Sequence, residues 1–210
     1  MMNIFDKISE KSQEKIFKIL HGYEIKILKD KKIVDYFNDD DEIGIIIEGH
    51  IQVIQNNYNG TKTVIENLSA NNLIGCKFTY LKNDEYEIVA KENSKLIIIS
   101  YNEIKNIVDV TDKNLNLFIK NLLFATNEIL ESKIERIEIL TQKTIRAKLL
   151  EYFNVYSKKN GSRYIYLPFN FSDLATYLAV DRSAMTRELS YLKEEGFISV
   201  KGKRITLLYR

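Results

Sequence analysis

The hydrophobic periodicity of this chain changes once, near residue 101, and that change limits what the chain can fold into. Between about residues 23 and 100, short runs rich in Ile and Val alternate with polar breaks. Beyond residue 101 the apolar residues recur at helical spacing. Side chains on one face repeat every two residues in a strand and about every 3.6 in a helix. The sequence therefore predicts an α+β protein whose N-terminal part is rich in strands.

Five runs are the strand candidates, and a short helix is predicted before them within residues 1–22. Asn59-Gly60 is a hairpin signal, because a two-residue turn with positive φ favours these residue types. Many short strands at this spacing predict a sandwich or barrel of the jelly-roll kind. The predicted strands are 43–47, 51–54, 63–68, 88–90 and 95–100.

A long helix is predicted over residues 109–140, where apolar residues follow a spacing of four and three. Such helices are typical of coiled coils and domain linkers. The spacing therefore predicts that this helix pairs with a second copy along a dimer seam. The alternative is a helix packed wholly on its own β-domain. The C-terminal half of this seam is more polar, with Lys133 and Arg136, so it would rearrange easily if an effector changed the pairing of the two helices. The residues predicted for the apolar half are Leu115, Ile119, Leu122, Thr126 and Ile129.

Composition excludes several classes of protein. One cysteine, Cys76, and two histidines, His21 and His50, cannot form a disulfide within the chain, a Cys-based zinc site or an iron–sulfur cluster. A cupin-like enzyme needs clustered His and carboxylate ligands, so no catalytic residue, metal or cofactor is predicted. Apolar runs such as 96–99 are far shorter than the ~20 residues of a membrane helix. Without a basic-then-apolar leader, the sequence predicts a cytoplasmic protein.

The positive charge is concentrated at the C-terminal end. Residues 141–210 carry 13 Lys+Arg and 6 Asp+Glu, whereas residues 1–140 carry 18 and 23. A basic C-terminal segment of charge +7 behind a body of charge −5 indicates a polyanionic partner for that segment.

Residues 170–196 predict two short helices joined by a three-residue turn. Asn170 and Asp181 are N-cap residues, and Ala184, Met185, Leu189 and Leu192 point inward from the second helix, residues 182–194. This is a helix-turn-helix, whose second helix fits the major groove of double-stranded DNA, where Arg bonds bidentately to guanine. The outward residues are Arg182, Ser183, Thr186, Arg187 and Ser190.

Residues 197–200 and 205–208 predict a β-hairpin wing after the second helix. Its tip carries Lys201, Lys203 and Arg204, a basic group suited to phosphate. Two alternatives remain: a plain αα-hairpin with a charged wet face, and a ligand-binding module that acts on a protein partner. The basic tip favours DNA, because a protein interface has no need of these three cations together.

With these elements the chain resembles the CRP/FNR family of bacterial transcription regulators over nearly all of its length. Residues 141–150, Leu174-Ala175 and 182–192 resemble the family's winged-helix domain. Gly49 and residues 71–75 resemble its cyclic-nucleotide-binding-type β-roll.

The resemblance implies three parts: an effector-sensing β-roll at 1–108, a dimerisation helix at 109–140 and a winged-helix domain at 141–210. It implies a homodimer on a two-fold symmetric operator, with an effector that biases the pairing of the long helices. It also implies contact with RNA polymerase if the protein is an activator.

The chain departs from the family where cyclic AMP would bind. Cyclic-nucleotide-responsive members have a Glu after the Gly at position 75, and an Arg-Ser or Arg-Thr pair further on. Here Cys76 and Lys77 follow Gly75, and residues 83–87 bring carboxylates at Asp84, Glu85 and Glu87, which would repel a phosphodiester. The sequence therefore predicts that cyclic AMP does not bind in the usual way, which leaves an unidentified small effector or no effector at all. A cyclic nucleotide held by Lys77 or Lys82 and a thiol switch at Cys76 remain alternatives, and the candidate pocket residues are Gly75, Cys76, Lys77, Glu85 and Tyr86.

Two further departures concern the helix-turn-helix. Ser183 stands where many members carry a Glu, which predicts an operator half-site unlike the commonest one of the family. Ala179 stands where family turns commonly have Gly, which predicts a turn that avoids positive φ.

Overall fold

The structure is a computed structural model that describes residues 3–38, 41–58, 60, 62–75, 85–107, 111–167 and 170–209. The chain forms two compact units, Met1–Leu130 and Glu131–Arg210. The predicted α+β class is confirmed, since antiparallel strands dominate the first unit, and helices with a small sheet form the second. The division at residues 108 and 140 stays a prediction.

The first unit contains two antiparallel sheets, with strand orders β1-β7-β2-β5 and β4-β3-β6. Two helices, α1 (Glu10–Ile19) and α2 (Tyr101–Lys105), flank the strands, and α3 (Lys113–Leu140) follows them. The strands are β1 (Tyr23–Ile27), β2 (Glu42–Glu48), β3 (Ile51–Asn56), β4 (Lys62–Leu68), β5 (Leu73–Gly75), β6 (Tyr86–Ala90) and β7 (Ser94–Ser100), with a 3₁₀ turn at Val34–Tyr36 before β2.

All five predicted strands are present, with ends shifted by at most two residues. β3 and β4 pair in antiparallel register, as the hairpin signal predicted. Gly60 in their connection has φ of +78°, and Asn59 lies outside the described residues. β1 and β5 were not predicted: β5 has only three residues, whereas β1 alternates apolar residues with Glu24 and Lys26, a period-two strand signal that was available but lies outside the runs rich in Ile and Val.

The central strands β2 and β7 are apolar on both faces because both faces are covered. Ile45 and Ile97 share a buried cluster with residues of α1 and α3, whereas Ile46 and Ile98 share one with residues of β3 and β6. Strands covered on both sides have continuous rather than alternating apolar runs. This explains the uninterrupted runs of isoleucine in both strands.

Helix α3 has 28 residues, in agreement with the long helix predicted from the spacing. The Asp112 carboxylate accepts the backbone N–H groups of Asn114 and Leu115, at 2.8 and 3.3 Å, and so caps its start. Asn121 is fully buried, and its amide donates to the backbone carbonyls of Ile4 and Asp6, each at 3.1 Å. These two bonds tie the N-terminal turn to α3.

The second unit packs three helices on a small antiparallel sheet of order β8-β10-β9. Its core contains Tyr152 and Phe153, both fully buried, together with Leu174, Met185 and Leu192. The elements are α4 (Ile145–Asn160), β8 (Tyr164–Tyr166), α5 (Phe171–Tyr177), α6 (Arg182–Glu194), β9 (Ile198–Lys201) and β10 (Arg204–Leu207).

Candidate nucleic-acid interface

Helices α5 and α6 form the predicted pair, each started by the predicted cap. The Asn170 side chain accepts the N–H of Asp173 at 3.0 Å, and the Asp181 carboxylate accepts the N–H of Ala184 at 2.8 Å. Each side chain satisfies a backbone donor that the first helical turn leaves unpaired. The observed α6 has the bounds that the sequence predicted, residues 182–194.

The turn between the two helices contradicts the expectation that it avoids positive φ. Ala179 has φ of +51°. Its N–H donates to the Thr176 carbonyl at 3.1 Å, and the Val180 N–H donates to the Ala175 carbonyl at 3.0 Å. These two bonds form a Schellman motif, which requires a left-handed residue just past the helix end. The chain satisfies the motif with alanine, and the alanine is exposed.

The two faces of α6 are separated as predicted. Met185, Leu189 and Leu192 are buried in the core of the second unit. The five outward residues are all exposed: Arg182, Ser183, Thr186, Arg187 and Ser190. Tyr191, which sequence reasoning did not select, extends this face with half of its surface exposed. Its position four residues after Arg187 was the available signal.

Arg146 on α4 holds α6 in place through two carboxylates. Its Nε donates to Glu188 at 2.6 Å, and its two terminal nitrogens donate to the two oxygens of Glu195, each at 2.7 Å. The planar guanidinium matches such a bidentate geometry. Hydrogen bonding from Arg146 lowers the pKa of Glu195 below its ordinary value. Sequence reasoning missed this contact, because its partners lie 42 and 49 residues away.

A second contact from α4 supports the end of α5. Lys148 Nζ donates to the backbone carbonyl of Leu178 at 3.0 Å. A cation at a helix C-terminus satisfies an unpaired carbonyl and is favoured by the helix dipole. Arg146 and Lys148 together fix both helices of the pair on α4.

The predicted wing is present as the hairpin β9–β10. Gly202 has φ of +60° at the first position of the two-residue turn, where glycine adopts that conformation without strain. Lys201 and Lys203 are exposed. Arg204 is half-buried, and its guanidinium lies 5.8 Å from the centre of the Tyr164 ring. Two of the three predicted cations are thus freely exposed at the tip, and the third packs on an aromatic ring.

The candidate effector residues lie around the gap between the described segments 62–75 and 85–107. Gly75 and Tyr86 are described in β5 and β6, and Glu85 directly precedes β6, whereas Cys76 and Lys77 lie outside the described residues. Gly75 has φ of +140°, and a Cβ there would meet the Glu42 carbonyl oxygen at 2.5 Å. The pairing of β5 with β2 therefore requires glycine at this position.

One of the predicted carboxylates does not add negative charge at that pocket. Glu87 accepts a hydrogen bond from Lys62 at 2.7 Å and lies 3.9 Å from Lys32. The bond from Lys62 lowers the pKa of Glu87. Its neighbour Ile88 belongs to the core between the sheets, and successive side chains of a strand alternate in direction. Glu87 is therefore directed away from that core.

Helix α3 has apolar side chains on two faces. Of the predicted seam residues, Leu115 is buried and Ile119, Leu122 and Ile129 pack against the core of the first unit, while the Thr126 hydroxyl donates to the Leu122 carbonyl. The exposed apolar residues begin one position further on: Leu123, Phe124, Leu130, Ile134 and Ile137. The stripe available to a partner is thus displaced by one residue from the predicted seam.

Arg136, in the more polar half of the predicted seam, packs on a residue of the second unit. Its guanidinium carbon lies 5.0 Å from the centre of the Tyr177 ring, at the end of α5. The pKa of Tyr177 is raised, and burial of the ring is the largest cause. A stacked and half-buried arginine is costly to move, which argues against the easily rearranged position predicted for it.

This region is a winged helix-turn-helix of the DNA-binding class. It consists of two short helices joined by a tight turn, an exposed helix face with two arginines, and a basic β-hairpin. Residues 145–210 match the family model of the Crp-like helix-turn-helix domain. The predicted resemblance to the CRP/FNR family is thereby confirmed for the C-terminal domain, and the chain as a whole shares its fold with the solved structures described next.

Three solved structures illustrate the shared fold. A CooA double mutant from Carboxydothermus hydrogenoformans has a TM-score of 0.69 at 17% identity, covering 99% of this chain and 92% of that one. OCPA-complexed CprK has a TM-score of 0.66 at 14% identity, covering 96% and 92%. The c-di-GMP-responsive global regulator CLP of Xanthomonas campestris has a TM-score of 0.57 at 15% identity, covering 96% and 100%. No curated protein matches the sequence of this chain.

Within the described residues, no group of three or more His, Cys, Asp or Glu side chains is arranged to hold a metal ion. No helix among those same residues has the length and hydropathy needed to cross a membrane.

Proposed function

We propose that the protein is a homodimeric, sequence-specific DNA-binding regulator of transcription that acts on a two-fold symmetric operator. The observation that carries the proposal is the exposed face of α6. Arg182 and Arg187 make no ion pair or side-chain hydrogen bond within the described part of the chain. Two uncommitted guanidinium groups near the start of an exposed helix suit bidentate recognition of guanine in the major groove.

The wing supports this proposal with a different kind of contact. Lys201 and Lys203 are exposed at its tip, and such lysines bind phosphate without reading sequence. The carboxylates Glu188 and Glu195 are occupied by Arg146. The single positive charge of Arg146 thus reduces, but does not cancel, the negative charge that these two carboxylates set beside the interface.

A second copy of this chain is the proposed partner of α3. Leu123, Asn127, Leu130, Ile134 and Ile137 recur at alternating intervals of four and three, which is the spacing of a coiled-coil seam. Their apolar members are about half exposed in the single chain, and a row of this kind favours an interaction site. Parallel pairing would relate two copies of α6 by a two-fold axis, about 34 Å apart on the DNA.

The proposed effector is a small molecule other than cyclic AMP. The support is the sequence after Gly75, which lacks the Glu and the Arg-Ser pair of the cyclic-nucleotide-responsive pattern. Binding would shift the pairing of the two copies of α3 and so the spacing of the two copies of α6. A function on promoter DNA requires a cytoplasmic location, and activation would require contact with RNA polymerase; both belong to the proposal.

A pair of variants tests the proposal. The wild-type protein selects its operator from a randomised duplex pool, and gel shifts then measure Kd for this operator and for a scrambled duplex. Arg187→Ala should lose about 1–3 kcal/mol for each half-site of the operator and relax the preference at one base pair per half-site. Lys203→Ala should weaken binding to both duplexes alike and reduce the salt dependence. Equal, sequence-independent losses in both variants would contradict the role of Arg187.

A further inference from the structure

The hydroxyl groups on the exposed face of α6 differ in what they already bind. Thr186 Oγ1 donates to the Arg182 carbonyl at 2.8 Å, and Ser190 Oγ donates to the Thr186 carbonyl at 3.2 Å. Both are held against the backbone one turn earlier. Ser183 has no such bond within the residues that the structure describes. Its hydroxyl alone among the three is free to donate to a base.

The bond to Arg182 determines which part of Thr186 meets a partner. Threonine carries two heavy-atom branches on Cβ, and in helices Oγ1 can bond to the carbonyl of the preceding turn. With Oγ1 committed in this way, the Cγ2 methyl is the remaining branch on an exposed residue. Thr186 lies one turn after Arg182 and directly before Arg187. Its methyl therefore lies on the exposed face of α6 that also carries Arg182, one turn earlier.

In the major groove a methyl group has one natural counterpart, since thymine presents its C5-methyl there and the other bases do not. We propose that Thr186 is a specificity-determining residue that selects thymine by contact between the two methyl groups. The Thr186 hydroxyl orients the side chain and does not read the base. This inference rests on the proposed function, because it requires α6 in the major groove of DNA.

The experiment uses the operator that the full-length wild-type protein selects from a randomised duplex pool. Each thymine is replaced, in both half-sites together, by deoxyuridine, which lacks only the methyl group. At one symmetric position the replacement should weaken binding about fourfold per half-site, or about fifteenfold for both, as expected for the loss of one buried methyl contact. Fluorescence anisotropy at fixed salt measures these affinities.

Two matched variants separate the methyl group from the hydroxyl. Thr186→Ser keeps the hydroxyl and loses the methyl, so it should bind the thymine and uracil duplexes equally. Thr186→Val keeps a methyl and loses the hydroxyl, so it should retain a preference for thymine. Thermal unfolding of each variant checks that α6 remains folded.

The outcomes that contradict the inference are distinct from those that contradict the proposed function. Tolerance of uracil at every position, or a Thr186→Ser variant that still prefers thymine, would overturn the role of the methyl group. A Thr186→Val variant that loses the preference would assign it to the hydroxyl instead. In these cases the protein still selects an operator. A wild-type protein that enriches no sequence would overturn the proposed function, and this inference with it.

Discussion

Replacing Ala179 with glycine should stabilise the second unit. At φ of +51° the alanine Cβ is strained, at a cost of about 1–2 kcal/mol relative to a residue without Cβ. Glycine costs about 0.5–1 kcal/mol more conformational entropy when it is ordered. The alanine side chain is exposed, so its removal leaves no cavity. The expected net gain is about 0.7 kcal/mol in the free energy of unfolding.

For a unit of this size, that gain corresponds to a rise of about 3–5 °C in Tm, which calorimetry of the full-length chain measures. Ala147→Gly, in the first turn of α4, is the control: at this half-buried, right-handed position glycine relieves no strain, so the same change should destabilise the same unit by up to about 1 kcal/mol. If Ala179→Gly lowered Tm as the control does, the strain assigned to this turn would be refuted.

Three further predictions concern other contacts. Acidification should reduce the stability of the second unit, because the pKa of Glu195 is lowered in the folded state. The loss should begin as the pH falls below 4.5, the ordinary pKa of Glu195, and should continue through the lowered pKa. Arg146→Met should make the stability, measured by urea titration, less dependent on acidic pH. Asn121→Ala leaves the Ile4 and Asp6 carbonyls without their donor and should cost about 2 kcal/mol, seen as a lower urea midpoint; an unchanged midpoint would contradict the tie between α3 and the N-terminal turn. Leu130→Glu should give a monomer in sedimentation equilibrium, because it places a charge in the proposed seam, whereas Glu131→Gln should leave the dimer intact.

The helix-turn-helix was predictable because its determinants are local. Asn170 and Asp181 cap helices that start at the next residue, and the inward and outward faces of α6 follow from helical spacing alone. The strands β2 and β7 were predictable for a related reason, since a strand buried on both faces carries a continuous apolar run.

The dimer seam was harder to predict because α3 has two apolar stripes. Leu122 and Leu123 are neighbours in sequence, yet the first packs on the core of its own unit and the second is exposed. The spacing of four and three fits both stripes, and only the packed fold shows which one is already used. The contacts of Arg146 were missed because they act over a long sequence separation. The prediction for Ala179 was wrong because this residue adopts a conformation that its residue type disfavours.

The spacing of the operator half-sites tests the central claim most directly. A dimer with two copies of α6 in successive major grooves requires half-site centres one helical turn, about 10 base pairs, apart. Anisotropy would compare the selected operator with a version that carries five extra base pairs at its centre, which turns the half-sites to opposite faces of the DNA. We expect the insertion to reduce binding to the level of a single half-site. Equal affinity for the two duplexes would contradict a dimer that reads DNA through α6.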